Sequence, residues 1–268
     1  MEPLPPLAPR TALFVPASRP RMIAKAAVST ADLVVLDMED AVRTEDKADA
    51  RAALAESLAL FAGRPVAVRI NPVDSLYFAD DMAAVEAAGA ALVLIPKVER
   101  VDTIARVAMP GRQVMAMIET PAGVLAAPAI AAAEGVVALF IGTNDLAAGL
   151  RLPPSSGRAA MGVALQSVVL AARAAGVWAI DGVFNALSDP DGLAAECAEG
   201  QAIGYDGKSL IHPDQIDIAN RAFAPGEAEL EDARALIAAA SGGAERFRDR
   251  MVEDLHVEMA RATIARAR

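Results

Sequence analysis

Charged side chains repeatedly close apolar runs in this chain. "VMAMIE" runs into Glu119, "VAVRINP" contains Arg69, and "DLVVLDME" holds Asp37 and Glu39. Lys97 ends "ALVLIPK", Asp145 follows "VVALFIG" in "IGTNDLAAGL", Asp181 lies in "VWAIDG" and Lys208 in "YDGKS". A buried, unpaired carboxylate costs several kcal/mol, so each of these groups needs a partner or a ligand. Glu119 and Asp145, on successive runs, cannot sit close together without a cation or a raised pKa. Magnesium suits such a pair, because it takes hard oxygen ligands and fills its remaining positions with water or substrate oxygens. Gly142 lets a ligand approach the backbone beside Asp145. The alternative for Asp145 is a cap on the following helix; for Glu119 that role falls instead to Thr120, ahead of Pro121. Arg69 offers a planar fork for a substrate carboxylate, or a salt bridge to Glu39, and the two can hold together.

The segments that carry these residues alternate in character. Eight short aliphatic runs are expected as strands: "TALFVP", "DLVVLDME", "PVAVRIN", "ALVLIPK", "VMAMIE", "VVALFIG", "VWAIDG" and "IGYDGKS". Between them lie Ala-rich stretches of helical period, such as "RTEDKADARAALAESLALF" and "AAMGVALQSVVLAARAAG". Continuous apolar strands alternating with helices indicate a parallel sheet covered on its outer face. Eight such units in this length predict an α/β protein of the (β/α)8 TIM-barrel class. A doubly wound open sheet is the runner-up, but no Gly-rich fingerprint follows the first strand. Active sites of barrels gather at the carboxyl ends of the strands, so the charged residues are expected to converge there, some of them as structural ion pairs. The barrel is assigned to residues 1–222 and a C-terminal helical extension to 223–268. In the extension, "GEAELEDARALIAAASGG" reads as one helix stopped by a Gly pair, and "ERFRDRMVEDLHVEMARATIARAR" contains a final amphipathic helix. It either packs under the barrel or projects to a neighbouring subunit.

Bulk properties narrow the function. The 268 residues carry a formal charge of −10, which argues against a nucleic-acid partner and requires placed Arg or Lys residues for any polyanionic ligand. No apolar run approaches membrane-spanning length, and the Pro-rich start does not resemble a secretory leader, so the expected location is cytoplasmic. The single cysteine, Cys197, cannot form an internal disulfide and is expected in the core. The two histidines, His212 and His256, make no persuasive Ser-His-Asp order; His212, before Pro213, is expected in a turn. Met109, Met115 and Met117 are expected to pack, not to bind metal.

The chain resembles the citrate lyase β-subunit-like branch of the HpcH/HpaI aldolase superfamily. The resemblance rests on "LFVPASRPRMIAKA", "ADLVVLDMEDAV", "VRINP", "LIPKVE", "MIETPAGV", "IGTNDLAAGL", "AIDGV" and "GYDGKSLIHPDQI", collinear over roughly residues 11 to 220. It implies a magnesium-dependent barrel lyase, with Mn2+ as a substitute, assembled as a homotrimer or hexamer. Such an enzyme cleaves a 3-hydroxyacyl-CoA of malyl-, citramalyl-, β-methylmalyl- or citryl-CoA type into an acyl-CoA and a 2-oxo acid, or runs the reverse condensation. It further implies Glu119 and Asp145 as metal ligands and Arg69, with the backbone of Thr143, Asn144 and Asp145, as the oxo-acid site. Phe14, Arg19 and Lys25 fall at the coenzyme A positions, and Asp37 and Glu39 beside Arg69, for support or proton handling. In relatives a C-terminal segment like Gly-Lys-Met-Val-Asp-x-Pro brings an acid from a neighbouring subunit. Here "DRMVEDLHV" places Glu253 at that Asp and Leu255 at the Pro, and Gly149 stands where many relatives have a second acid. The alternative within the family is a citrate lyase β subunit acting on an acyl carrier protein. A class II pyruvate aldolase is disfavoured because no His precedes position 212, and a non-catalytic barrel because Arg69, Glu119 and Asp145 are all present.

Overall fold

The computed structural model describes residues 7–267; the Pro-rich residues 1–6, on which the leader expectation partly rests, and Arg268 lie outside them. Eight parallel strands close into one barrel in sequential order. They are β1 (Thr11–Pro16), β2 (Leu33–Asp37), β3 (Val66–Arg69), β4 (Leu92–Ile95), β5 (Gln113–Ile118), β6 (Val136–Ile141), β7 (Trp178–Asp181) and β8 (Gly207–Leu210). Closure by pairing of β1 with β8 removes the open-sheet alternative. The helices through β5 are α1 (Pro20–Ala27), α2 (Lys47–Ala52), α3 (Leu54–Ala59), α4 (Phe78–Ala87) and α5 (Val101–Ala105). Beyond it come α6 (Pro121–Ala131), α7 (Thr143–Gly149), α8 (Gly162–Ala175), α9 (Pro190–Ile203) and α10 (Ile216–Ala222). Among the described residues no helix is long and apolar enough to cross a membrane.

Strand alternation sorts the core into two layers. Ala12, Leu33, Val35, Ala67, Leu94, Met115 and Phe140 fill the barrel interior. Their sequence neighbours, among them Val34, Leu36, Val68 and Val93, face the helices in the larger cluster. The same period of two carries past the apolar residues to the charged ones. Asp37, Arg69 and Glu119 share parity with the inward residues of their strands and turn over the barrel mouth. Asp181 follows inward-facing Ile180 and turns outward, and Lys208 pairs with it in the register.

Several boundaries differ from expectation. Most strands stop one or two residues early, so Glu39, Lys97 and Glu119 lie in the loops after β2, β4 and β5. The last strand begins at Gly207 and not at Ile203, because α9 runs through Ile203 and ends on Gly204 at φ 107°, a left-handed C-cap. The stretch after β2 divides into a short 3-10 turn at Thr44–Asp46, then α2 and α3. Thr120 caps α6 by accepting from the Gly123 N–H at 3.0 Å with Pro121 at its start, as expected. Asp145 is neither a strand end nor a cap: it is the third residue of α7, whose N-cap is Gly142.

The extension comprises α11 (Glu227–Ala239), an antiparallel hairpin of β9 (Glu245–Phe247) and β10 (Arg250–Val252), and α12 (Asp254–Ala265). The hairpin was not expected, since three-residue strands are too short to show an alternating pattern. Ala233, Leu236, Val252 and Ala260 form a small core of their own, separate from the barrel layers. Arg266 ties the end of α12 to its own barrel, donating to the backbone carbonyl of Asp206 at 3.1 Å, just ahead of β8. Met251, Leu255 and Met259 remain exposed on the extension. Cys197 is buried in α9, its thiol pushed up to about 11 by burial. Met115 and Met117 are buried as expected, but Met109 is exposed on the turn after α5, a correction. His212 starts a 3-10 turn at Pro213–Gln215, its Nδ1 accepting from the Asp214 N–H.

Candidate active site

Arg69 and Asp37 are register partners on β3 and β2, which sets their carboxylate and guanidinium side by side. Asp37 takes one edge of the fork, with Arg69 Nε donating to Oδ1 at 2.8 Å and Nη2 to Oδ2 at 2.6 Å. Arg69 Nη1 lies 3.0 Å from Glu39 Oε2, so the salt bridge considered from the sequence is present, and a second one joins it. The Nε/Nη2 edge of the guanidinium is therefore committed to Asp37 and Nη1 to Glu39, while Arg69 still lines the cleft. Its cation also lies over Phe14, 5.1 Å from the ring centroid. Asp37 is saturated, since its oxygens also accept from the backbone N–H groups of Glu39 and Ala41.

Arg69, Phe14 and Asp37 line an open cleft of about 450 Å³ together with Glu119, Thr143, Asn144 and Asp145. The cleft sits at the carboxyl ends of the strands, where the alternation places it. Glu119 is only 4% exposed. Burial, the nearby charge of Glu39 and that of Asp145 together push its carboxyl up to about 8, against a lowering contribution from the Lys97 N–H that donates to Oε1 at 2.7 Å. Glu39 is raised as well, chiefly by burial, with Arg69 and Lys97 opposing. A Cβ on Gly142 would stand 2.4 Å from Glu119 Oε2, so this glycine is required by the close approach of the carboxylate to the β6–α7 turn. No side chain caps α7, and its first-turn N–H groups, at Thr143, Asn144 and Asp145, have no partner within the helix.

This donor set fits a hard divalent ion. Glu119 and Asp145 bring oxygen ligands only, and Glu119 is buried in surroundings that resist its ionisation unless a cation arrives. Among the described residues no group of three or more His, Cys, Asp or Glu could hold a metal, so a two-carboxylate site is the arrangement available.

Not every residue expected at the site reaches it. Asp181 and Lys208 face outward and form a separate buried network. Lys208 Nζ donates to Glu196 at 2.7 Å, to the Gly182 carbonyl at 2.8 Å and to Asp181 at 3.2 Å, while Arg158 meets Asp181 at 2.8 Å. They are structural ion pairs, not site residues. Arg19, the N-cap of α1, and Lys25, within it, are exposed and do not line the cleft, although Met22 of the same helix does. Glu253 is the N-cap of α12, its N–H bonded to His256 Nδ1 at 3.0 Å, and it does not line the cleft of its own chain. Sequence reasoning missed Asn185, in the loop after β7, which lines the cleft and donates to Asn144 Oδ1 at 2.7 Å. Its signal is weak: an amide in "DGVFN" looks like any loop residue until the fold sets it opposite α7.

A charged cleft with a fixed guanidinium at the carboxyl ends of a closed (β/α)8 barrel is the arrangement of a barrel enzyme. The family model for HpcH/HpaI aldolase/citrate lyase matches residues 10–213, and the chain belongs to this family of carbon–carbon lyases. It is 41% identical to a (3S)-malyl-CoA thioesterase of Cereibacter sphaeroides, over 96% of this chain and 94% of that protein. It is 30% identical to the citrate lyase β subunit of Escherichia coli K12, over 96% and 93%. A solved structure of CitE from Mycobacterium tuberculosis, in complex with magnesium, acetoacetate and coenzyme A, superposes with a TM-score of 0.88 at 34% identity, over 98% of this chain and 99% of that one.

Proposed function

We propose that the protein is a magnesium-dependent CoA-ester lyase that splits a 3-hydroxyacyl-CoA into an acyl-CoA and a 2-oxo acid, or joins them. The observation that carries this reading is the convergence of Glu119, Asp145 and Arg69 on one cleft. Glu119 and Asp145 would hold Mg2+, which when bound supplies Lewis acidity toward the substrate's hydroxyl and carboxylate oxygens. Arg69 and the first-turn N–H groups of Thr143, Asn144 and Asp145 bind the carboxylate of the oxo-acid half. Asp37 and Glu39 orient Arg69, and the saturation of Asp37 gives it support rather than proton transfer. Phe14 walls the thioester side, and Arg19 and Lys25 offer exposed cations to the CoA phosphates, as an acidic protein requires. In the reaction the C3 hydroxyl loses its proton and the C2–C3 bond breaks. Its electron pair passes to the thioester as an enolate, which is protonated at C2. The structures of CitE with magnesium and with coenzyme A or oxaloacetate support both ligand classes. Mn2+ has the same oxygen preference and would substitute. Glu253 would reach the cleft only from a second copy, as in a homotrimer or hexamer, with exposed Met251, Leu255 and Met259 beside it.

A second reading follows from the 41% identity to a (3S)-malyl-CoA thioesterase: hydrolysis of the thioester of the same substrate. There water attacks C1, the C–S bond breaks, and malate and CoA thiol leave. One assay separates the readings. With (3S)-malyl-CoA and Mg2+, a lyase releases glyoxylate and acetyl-CoA without free thiol, whereas a thioesterase releases malate and free thiol. Citramalyl-, β-methylmalyl- and citryl-CoA extend the substrate series. Activity only on citryl groups attached to an acyl carrier protein would identify a citrate lyase β subunit. No turnover of any of these esters would refute the proposal.

A further inference from the structure

Lys97 stands apart from the other charged residues near the strand ends. Leu92 and Leu94 of β4 face the barrel interior, so simple alternation would turn position 97 away from the axis. Its backbone instead adopts φ 52°, in the left-handed region that favours glycine. The other described non-glycine residues with positive φ, Arg151 and Arg248, lie in exposed surface turns, whereas Lys97 sits at the rim of the cleft. This kink does two things. It aims the Lys97 N–H at Glu119 Oε1, 2.7 Å away, and returns the side chain over the mouth. There Nζ lies 2.7 Å from Glu39 Oε1, 3.6 Å from Asp145 Oδ2 and 3.9 Å from Asp40 Oδ2. Glycine would relieve the backbone at no steric cost, so what the position gains from lysine is the ammonium.

We propose that Lys97 is a built-in counter-cation of the cleft, one that neutralises Glu39 and Asp145 in the ion-free protein and yields Asp145 to an incoming divalent ion. It is a positioning residue: it acts on the groups that hold the ion and the guanidinium, not on the reacting atoms. The ammonium repels the ion and competes for the same carboxylate, so it lowers divalent affinity. Its tie to Glu39 is the shorter one and remains when Asp145 is released. This inference rests on the reading of Glu119 and Asp145 as divalent ligands.

The test is Mn2+ binding to the substrate-free full chain, followed by the electron paramagnetic resonance of free Mn2+. Lys97→Met removes the charge at similar length. Lys97→Gly removes it while suiting the left-handed backbone, which guards against a folding defect in the first variant. Both are expected to bind Mn2+ about ten-fold tighter or more, as befits removal of one like charge within a few ångströms of a partly screened site. Lys97→Arg keeps the charge and should stay within about three-fold of wild type. Equal or weaker binding by both neutral variants, with Mn2+ bound by wild type, overturns the role of Lys97 alone. Failure of all four proteins to bind Mn2+ overturns the divalent-ligand reading as well.

Discussion

Replacing Glu119 by Gln isolates the electrostatic strain of the cleft from its chemistry. In the ion-free protein this carboxyl rises from 4.5 to about 8, first through burial and then through the charges of Glu39 and Asp145. An acid whose pKa is higher folded than unfolded favours the folded state below its unfolded pKa, and that advantage disappears as pH climbs through the folded value. Ion-free wild type should therefore lose stability between about pH 4.5 and pH 8, by at most about 5 kcal/mol from this group. Gln keeps a carbonyl to accept the Lys97 N–H and cannot ionise, so Glu119→Gln should remove most of that loss. At about 2–4 °C per kcal/mol for a chain of this size, the variant should melt several degrees above wild type at pH 8 in EDTA and near it at pH 5. Adding Mg2+ at pH 8 should raise the melting temperature of wild type and leave the variant almost unmoved. Calorimetry across pH 5–8, with and without Mg2+, reads all of this. A variant that melts below wild type at pH 8 in EDTA, or gains equally from Mg2+, would refute the reasoning.

Two other substitutions probe the rest of the cleft. Arg69→Lys should weaken glyoxylate or oxaloacetate binding at least about ten-fold, because one ammonium cannot both hold Asp37 and present a planar end to the ligand; equal affinities by calorimetric titration would take Arg69 out of the site. Gly142→Ala drives a methyl group to 2.4 Å from Glu119 Oε2, and should cost about 1–3 kcal/mol in denaturant unfolding and weaken the Mg2+-induced thermal shift. Unchanged unfolding and an unchanged shift would show that the β6–α7 turn relaxes freely.

Much of the architecture is written in local pattern. Uninterrupted apolar runs such as "VVALFI" admit a strand buried on both faces, and Thr120-Pro121 marks a helix start wherever it occurs. Asp37 and Arg69 were legible too, because each shares parity with inward residues of its own strand. Asp181 and Lys208 were misplaced by reading the strand ends without that parity. Ile180 and Asp181 point to opposite faces, so the same residue count that carries Arg69 to the mouth carries Asp181 to the helices.

What the linear chain determined by itself is the eight barrel strands and the identity of the carboxylates, guanidinium and glycine that line or border one cleft, because period, capping and residue chemistry are local properties. The tertiary structure alone decided how those charges divide: Asp37 takes an edge of Arg69, Arg158 and Lys208 close around Asp181, and Glu253 stays away from its own cleft. It also decided that Lys97, by alternation an outward residue, bends back over the mouth. Charge pairing depends on distances of a few ångströms between residues tens of positions apart, and on a single backbone angle, and neither is carried by any local segment.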